Sequence, residues 1–178
     1  MLNKKFITVS LVVLFILLVA LFIYRQPIRE QIIASRDRTE TVNTIENFYK
    51  EHLRAINTNE NWVDLAEEYA SGRAKELLTA RAGSFLAEAS QGKQRLAEIV
   101  SPIIIRFYDI NSSQIKALVD FELEERIVGA APKAYAIEKL LVLEKVGNKW
   151  VIVEDIDRSD RFNEWAGQQR FPTVRVAY

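Results

Sequence analysis

Residues 115–124, IKALVDFELE, decide the fold. Ile115, Ala117, Val119, Phe121 and Leu123 alternate with Lys116, Leu118, Asp120, Glu122 and Glu124. A period of two with one apolar set marks a strand that buries one face and wets the other. The flanking runs repeat the pattern. Upstream, Ile103, Ile105 and Phe107 point one way and Arg106 and Tyr108 the other, and Asn111-Ser112-Ser113 joins the two runs as a hairpin. Downstream, residues 129–133, GAAPK, lead to a third strand over 135–146. It is apolar on both faces around Leu140 to Leu143, and therefore central. Gly147-Asn148 is a two-residue hairpin turn in which Gly supplies a positive φ. Residues 149–156, KWVIVEDI, make the fourth strand. Connections this short give one antiparallel meander, and strands of about 8–13 residues are long enough that the sheet must curl.

Before the strands the spacing is helical. In residues 41–56, TVNTIENFYKEHLRAI, apolar side chains recur at three and four: Val42, Ile45, Phe48 or Tyr49, His52 or Leu53, Ile56. Thr41 is the expected N-cap. Asn57-Thr58-Asn59 breaks the helix, and Asn61 is placed to cap a short second one with Trp62, Leu65, Ala66 and Tyr69 inward. After a turn at Ser71-Gly72, a third helix runs over 73–90 with Leu77, Leu78, Phe85 and Leu86 inward. Gly83 weakens its middle by roughly 1 kcal/mol relative to Ala. The expected class is α+β: three helices packed on a curled four-stranded antiparallel sheet.

Ahead of this domain lies FITVSLVVLFILLVALFIY, Phe6 to Tyr24, nineteen residues with no charge, Gly or Pro. As a helix it would be roughly 28 Å long, matching a hydrocarbon core of about 30 Å. A spanning segment must satisfy its own backbone, which a helix does. A cleaved signal peptide would have a shorter apolar run and small residues at its end; this run ends in Leu21-Phe22-Ile23-Tyr24. The expectation is an uncleaved single transmembrane helix with a short cytoplasmic head carrying Lys4 and Lys5, and the bulk of the chain outside the cytoplasm. The Lys/Arg counts on the two sides leave the opposite orientation open. The expected organisation is head and anchor over 1–27, a charged stalk over 28–40, the domain over 41–160 and a tail over 161–178.

Composition narrows the function. The 178 residues carry 24 Lys+Arg and 24 Asp+Glu, a formal net charge of zero. That balance argues against a nucleic-acid partner, which needs a basic stripe. With no Cys, disulfides, thiolate metal sites and Cys nucleophiles are excluded. No P-loop, G-x-S-x-G or H-E-x-x-H occurs, and no spacing points to a metal, a cofactor or a catalytic group. His52, the single histidine, reads as a boundary residue on a helix; with Tyr49 it would otherwise face a pocket. Glu122, Glu124, Glu125 and Arg126 read as a solvated strand end, with partner docking as the alternative. Residues 154–157, EDID, lack the Gly and spacing of a calcium loop and read as solvated charge or as partners of Arg158 and Arg161. The tail is unusually apolar: Trp165, Phe171, Val174, Val176 and Tyr178 are candidates for docking a partner by strand addition, or for folding back on their own domain.

The closing run 134–157, AYAIEKLLVLEKVGNKWVIVEDID, resembles the last hairpin of nuclear-transport-factor-2-like domains, in which helices fill the concave face of a curled sheet to make a cone. The resemblance covers about residues 41–160. With the anchor, the chain is similar to the single-pass inner-membrane assembly component of type IV secretion and conjugation channels. The resemblance implies a superfold that hosts enzymes, ligand binders and scaffolds alike. Isomerase-type members use an Asp base and a Tyr donor in the pocket; Tyr49, Tyr69, Tyr108, Tyr135, Asp109 and Asp120 are the residues of those types here. The expected role is a non-enzymatic assembly subunit of a membrane complex, in contact with the lipid bilayer and other subunits or further copies of itself. A small-ligand or isomerase-like cone and an accessory subunit of a photosynthetic or respiratory complex are the alternatives.

Overall fold

The computed structural model describes residues 35–111, 113–157 and 173–177. The stretch Phe6 to Tyr24 lies outside them; among the described residues no helix is long and apolar enough to cross a membrane. The described residues from Asp37 onward form one compact unit. In chain order the described elements are α1 (residues 35–58), α2 (Trp62–Tyr69), α3 (Gly72–Ser90), β1 (Arg95–Ile99), β2 (Ile103–Ile110), β3 (Gln114–Ile127), β4 (Lys133–Val146), β5 (Lys149–Asp157) and β6 (Val174–Val176).

The α+β class stands: among the described residues three helices pack on an antiparallel sheet, and the sheet has six strands rather than four. Its order is β5-β4-β3-β2-β6, with β1 also paired to β3. β1 is the first addition. It lies on the same flank of β3 as β2, opposite residues 123–127, while β2 lies opposite 115–120. Pro102 has no N–H to give the ladder, which explains the break between them. Across it, the Ser101 hydroxyl accepts the Glu122 N–H at 2.7 Å, and the Val100 N–H donates to the Glu122 carbonyl at 2.9 Å. β6 is the second addition: Val174 and Val176 pair with Ile105 and Ile103 of β2 and pack against the core.

The inward side chains are those the alternation assigns. Ile103, Ile105, Phe107, Ile115, Ala117, Val119, Leu141, Leu143 and Ile152 have no exposed surface. From the helices, Ile45, Phe48, Trp62, Leu65, Ala74 and Leu78 join them in one core. Gly147 has φ +63° in the β4–β5 turn, as expected.

Three local expectations change. α1 begins before Thr41, which lies buried inside the helix and donates its hydroxyl to the Asp37 carbonyl at 2.8 Å. Part of the expected stalk therefore belongs to the domain: the Asp37 carboxylate, almost wholly buried, takes an ion pair from Lys145 at 2.8 Å, and Lys145 also sits over the Trp150 ring. Asn61 precedes α2 but in the left-handed region, with no side-chain cap. On α3 the buried positions are Ala74, Leu78 and Ala82, with Phe85 half-buried; Leu86 is 48% exposed. The inward stripe steps by four through Ala74, Leu78 and Ala82, and because each such step overshoots one turn by about 40°, Leu86 has rotated off the buried side while Phe85 remains against it.

Gly83 sits on the solvent side of α3, with no atom within 4 Å of where a Cβ would stand. Replacing it with Ala restricts the unfolded chain without a clash. Gly83→Ala is expected to raise unfolding stability by about 0.5–1 kcal/mol, read from the denaturant midpoint at unchanged slope.

Candidate functional site

The helices do not fill the concave face completely. A cavity of about 280 Å³ remains between α1, α3 and the sheet. α1 lines it with Tyr49, His52, Leu53 and Ile56, α3 with Arg81 and Phe85, and the sheet with Ile99, Phe121, Leu123, Ile137, Lys139, Asp155 and Asp157, among others. Tyr49 and His52 are three apart on α1 and so share a helical face, and the structure brings both to this cavity.

Aromatic packing fixes their rings. Tyr49 meets Phe121 edge-on at 4.8 Å and Phe48 at 5.1 Å. His52 lies 5.6 Å from Phe48 and meets Trp62 edge-on at 5.5 Å. Trp62 stacks on Phe85 at 5.2 Å, and the Arg95 guanidinium covers the other end of the series, 5.1 Å from the Phe85 ring centre. Such contacts leave little rotamer freedom. The Tyr49 hydroxyl and His52 Nε2 are both buried without a hydrogen-bond partner.

Charged groups close one side. Arg81 Nη1 stands 3.2 Å from Asp155 Oδ2, and Lys139 Nζ stands 3.1 Å from Asp155 Oδ1 and also pairs with Asp157. The Lys139 and Asp155 side chains are 9% and 8% exposed. Two cations face two carboxylates, so the group is neutral as a whole. Its hydrogen bond from Lys139 holds the Asp157 carboxyl below the usual carboxylate range. A larger groove of about 670 Å³ reaches Arg81, Asp155 and Asp157 from outside β5, so these side chains form the wall between groove and cavity.

Burial decides the protonation of the two α1 residues. It lowers His52 to about 4, with the Arg81 charge acting in the same direction. It raises the Tyr49 hydroxyl well above its ordinary value, and Asp155 adds to the effect. Both are neutral at pH 7.

Asp155 and Asp157 were expected to be solvated or to pair with Arg158 and Arg161; in the structure Asp155 is buried against Arg81 and Lys139, whereas Asp157 pairs with Lys139 while its side chain stays 79% exposed. The reason is a bulge. Leu143 lies opposite Ile152 and Val142 opposite Glu154, leaving Val153 as an extra residue in β5. An extra residue reverses the alternation beyond it. Trp150 and Ile152 point inward before it, Asp155 and Asp157 after it. Glu125, from the expected acidic patch, pairs with Arg95 at 2.8 Å. Of the Asp and Tyr positions named for isomerase chemistry, Tyr49 is in the cavity, while Asp120 pairs with Arg106 on the outer face and Tyr108 packs with Leu118. Among the tail candidates, Val174 and Val176 are taken up by their own sheet edge; Trp165, Phe171 and Tyr178 lie outside the described residues. Among the described residues no group of three or more acidic or His side chains could hold a metal ion.

No protein-family model and no curated protein matches the sequence. Among solved structures, the chain is similar to the intermembrane space region of the chloroplast protein ARC6, with 14% identity and a TM-score of 0.55 over 69% of this chain and 96% of that one. It is also similar to a type 2 hexachlorocyclohexane dehydrochlorinase, LinA, with 12% identity and a TM-score of 0.46 over 71% and 94%. The fold fits the nuclear-transport-factor-2-like cone.

His52 makes stability pH-dependent. Its folded value of about 4 lies below the unfolded value of 6.5, so the unfolded chain binds the proton more readily. The contribution is fully present above pH 6.5 and is lost as pH falls toward 4, by up to roughly 3 kcal/mol. His52→Phe is expected to flatten the stability profile between these limits, so that its melting temperature relative to wild type rises as pH is lowered from 7.5 to 5.

Proposed function

We propose that the domain is a non-catalytic binding module whose cone takes a small, uncharged, largely apolar molecule with one hydrogen-bonding end. One observation carries this reading: Tyr49 and His52 line the same cavity, and the Tyr49 hydroxyl and His52 Nε2 are buried without a hydrogen-bond partner. A buried polar atom left unpaired costs about 1–3 kcal/mol, and a ligand with an acceptor for the hydroxyl, or a donor for the imidazole, would recover it. The volume, about 280 Å³, lies just below the range of drug-sized ligand pockets, which starts at about 300 Å³, so the ligand is small. The wall supports an uncharged ligand. Each carboxylate there is already paired with a cation, so a charged molecule would have to break an ion pair to gain one. The protonation states support binding over chemistry. A general acid or base works best with a pKa near the operating pH, and neither His52 nor Tyr49 is held there.

A panel of neutral one- and two-ring alcohols, phenols and ketones, screened by thermal shift and calorimetry, tests the reading. At least one is expected to bind. Ile137→Trp, which fills the cavity, should abolish that binding at unchanged fold, whereas Val63→Trp on the surface should not. No binder in the panel, or a binder indifferent to Ile137→Trp, would overturn it; steady consumption of a bound compound would overturn the non-catalytic part.

The second reading is positional: a domain of this fold held at a membrane, outside the cytoplasm, as a subunit of a larger complex. The sequence from Phe6 to Tyr24 favours it, and the fold likeness to a region of ARC6 that resides in an intermembrane space supports it. A secretion channel or a bioenergetic complex are the partners it would serve. The full-length chain is expected to stay with membranes through carbonate and high-salt washes and to leave them only in detergent. Recovery in the soluble fraction after gentle lysis would refute the anchor.

A further inference from the structure

The cavity between α1, α3 and the sheet is open along part of its wall. Four of its apolar lining residues, Leu53, Phe85, Leu123 and Ile137, are only partly buried, and they mark the opening. β3 and β4, at 14 residues each, carry the floor of the cavity out through it. Strand pairing fixes the order of side chains along that floor. Phe121, which meets the Tyr49 ring, lies opposite Ile137, and Leu123 lies opposite Tyr135. One row follows the other by about 7 Å. The β3–β4 ladder has no register shift, so Tyr135 faces the same side as Ile137 and Lys139. Those two line the cavity. Tyr135 is the next inward residue, and it is 42% exposed.

Ion pairs border the opening on both flanks. On the β1 side Arg95 joins Glu125 at 2.8 Å and Glu88 at 2.6 Å and lies over the Phe85 ring. On the β5 side Lys139 joins Asp155 and Asp157. Each rim is satisfied within itself, so a charged group passing between them would gain a partner only by breaking a pair. The floor between the rims is apolar: Leu123, Ile137 and the Tyr135 ring.

We propose that the ligand of the cone carries a single uncharged alkyl chain. Its hydrogen-bonding end sits at Tyr49 and His52, and the chain leaves the cavity over Leu123 and Ile137 to lie on the Tyr135 ring. This rests on the binding reading above and specifies its ligand. The cavity volume then limits the enclosed part of the molecule and not its whole length. A compact ring would leave Leu123 and Tyr135 wet, whereas a chain covers them. Each methylene so removed from water tightens binding about fourfold.

The 4-alkylphenols provide the test, with a hydroxyl as the polar end and a chain of chosen length. Calorimetry on the detergent-purified full-length protein compares 4-methylphenol with 4-hexylphenol, each corrected for uptake by protein-free micelles. 4-Hexylphenol is expected to bind at least about tenfold more tightly. Tyr135→Ser, at an exposed position where the fold tolerates change, should cut that gain at least about threefold and leave 4-methylphenol binding as it was. Val128→Ser, at an exposed residue beyond the end of β3, should alter neither. Equal binding of the two phenols, or a gain undiminished by Tyr135→Ser, would overturn the chain's path and leave the cavity reading intact. Failure of both phenols to bind would overturn the proposal too, and the wider panel above then decides separately whether the cavity reading falls with it.

Discussion

Two residues of β5 stand against one step of β4 at Val142–Leu143, and the interior of the cone depends on that mismatch. Without the extra residue, Glu154 and Ile156 would face inward and Asp155 and Asp157 outward. Arg81 and Lys139 would then point into the concave face with no anion opposite, and an uncompensated buried charge costs several kcal/mol. With the bulge, two carboxylates arrive where the cations are. The charges cancel locally, and the remaining wall can be apolar.

The same mismatch shows why the sequence revealed the fold more readily than the site. Alternation in Ile103–Phe107 and Ile115–Leu123 is long, regular and buried on one side, so strand identity and facing follow from residue type alone. The hairpin at Gly147-Asn148 is equally plain, because a positive φ there selects Gly. What escaped were features set by neighbours. β1 is short, and its separation from β2 depends on how the Ser101 hydroxyl reaches the Glu122 N–H across Pro102. β6 has three residues and exists only because β2 offers an open edge. Thr41 looks like a cap until the helix is seen to continue before it. Asp155 looks solvated because nothing local in EDID announces the bulge at Val153, two residues upstream of it. Tyr49 and His52 were legible as a pair on one helical face, but not as buried and unpartnered, which depends on Phe121, Trp62 and Phe85 arriving from three other elements.

A cone is hospitable to many functions because its walls come from elements far apart in sequence. In this chain the wall is aromatic along α1 and ionic along β5. The ion pairs are satisfied among themselves, while the two neutral polar atoms on α1 are not. The asymmetry gives the cavity a preferred end for a ligand's polar group without giving it a reactive one.

The corner between α2 and α3 is tied directly to the bulged strand. The Ser71 N–H donates to the Ile152 carbonyl at 2.9 Å, and at Gly72, with φ +51°, an added Cβ would stand 3.7 Å from the Val153 carbonyl oxygen. α3 starts from that knot, and Arg81 lies a little over two turns along it. A side chain at position 72 would meet the bulge only at ordinary contact distance, but it would strain the backbone at this positive φ, and relief of that strain would turn the rod that carries Arg81 about its fixed end. Gly72 is thus a remote adjuster of the distance between Arg81 and Asp155, able to alter the electrostatic balance of the cone from a position that touches neither charge.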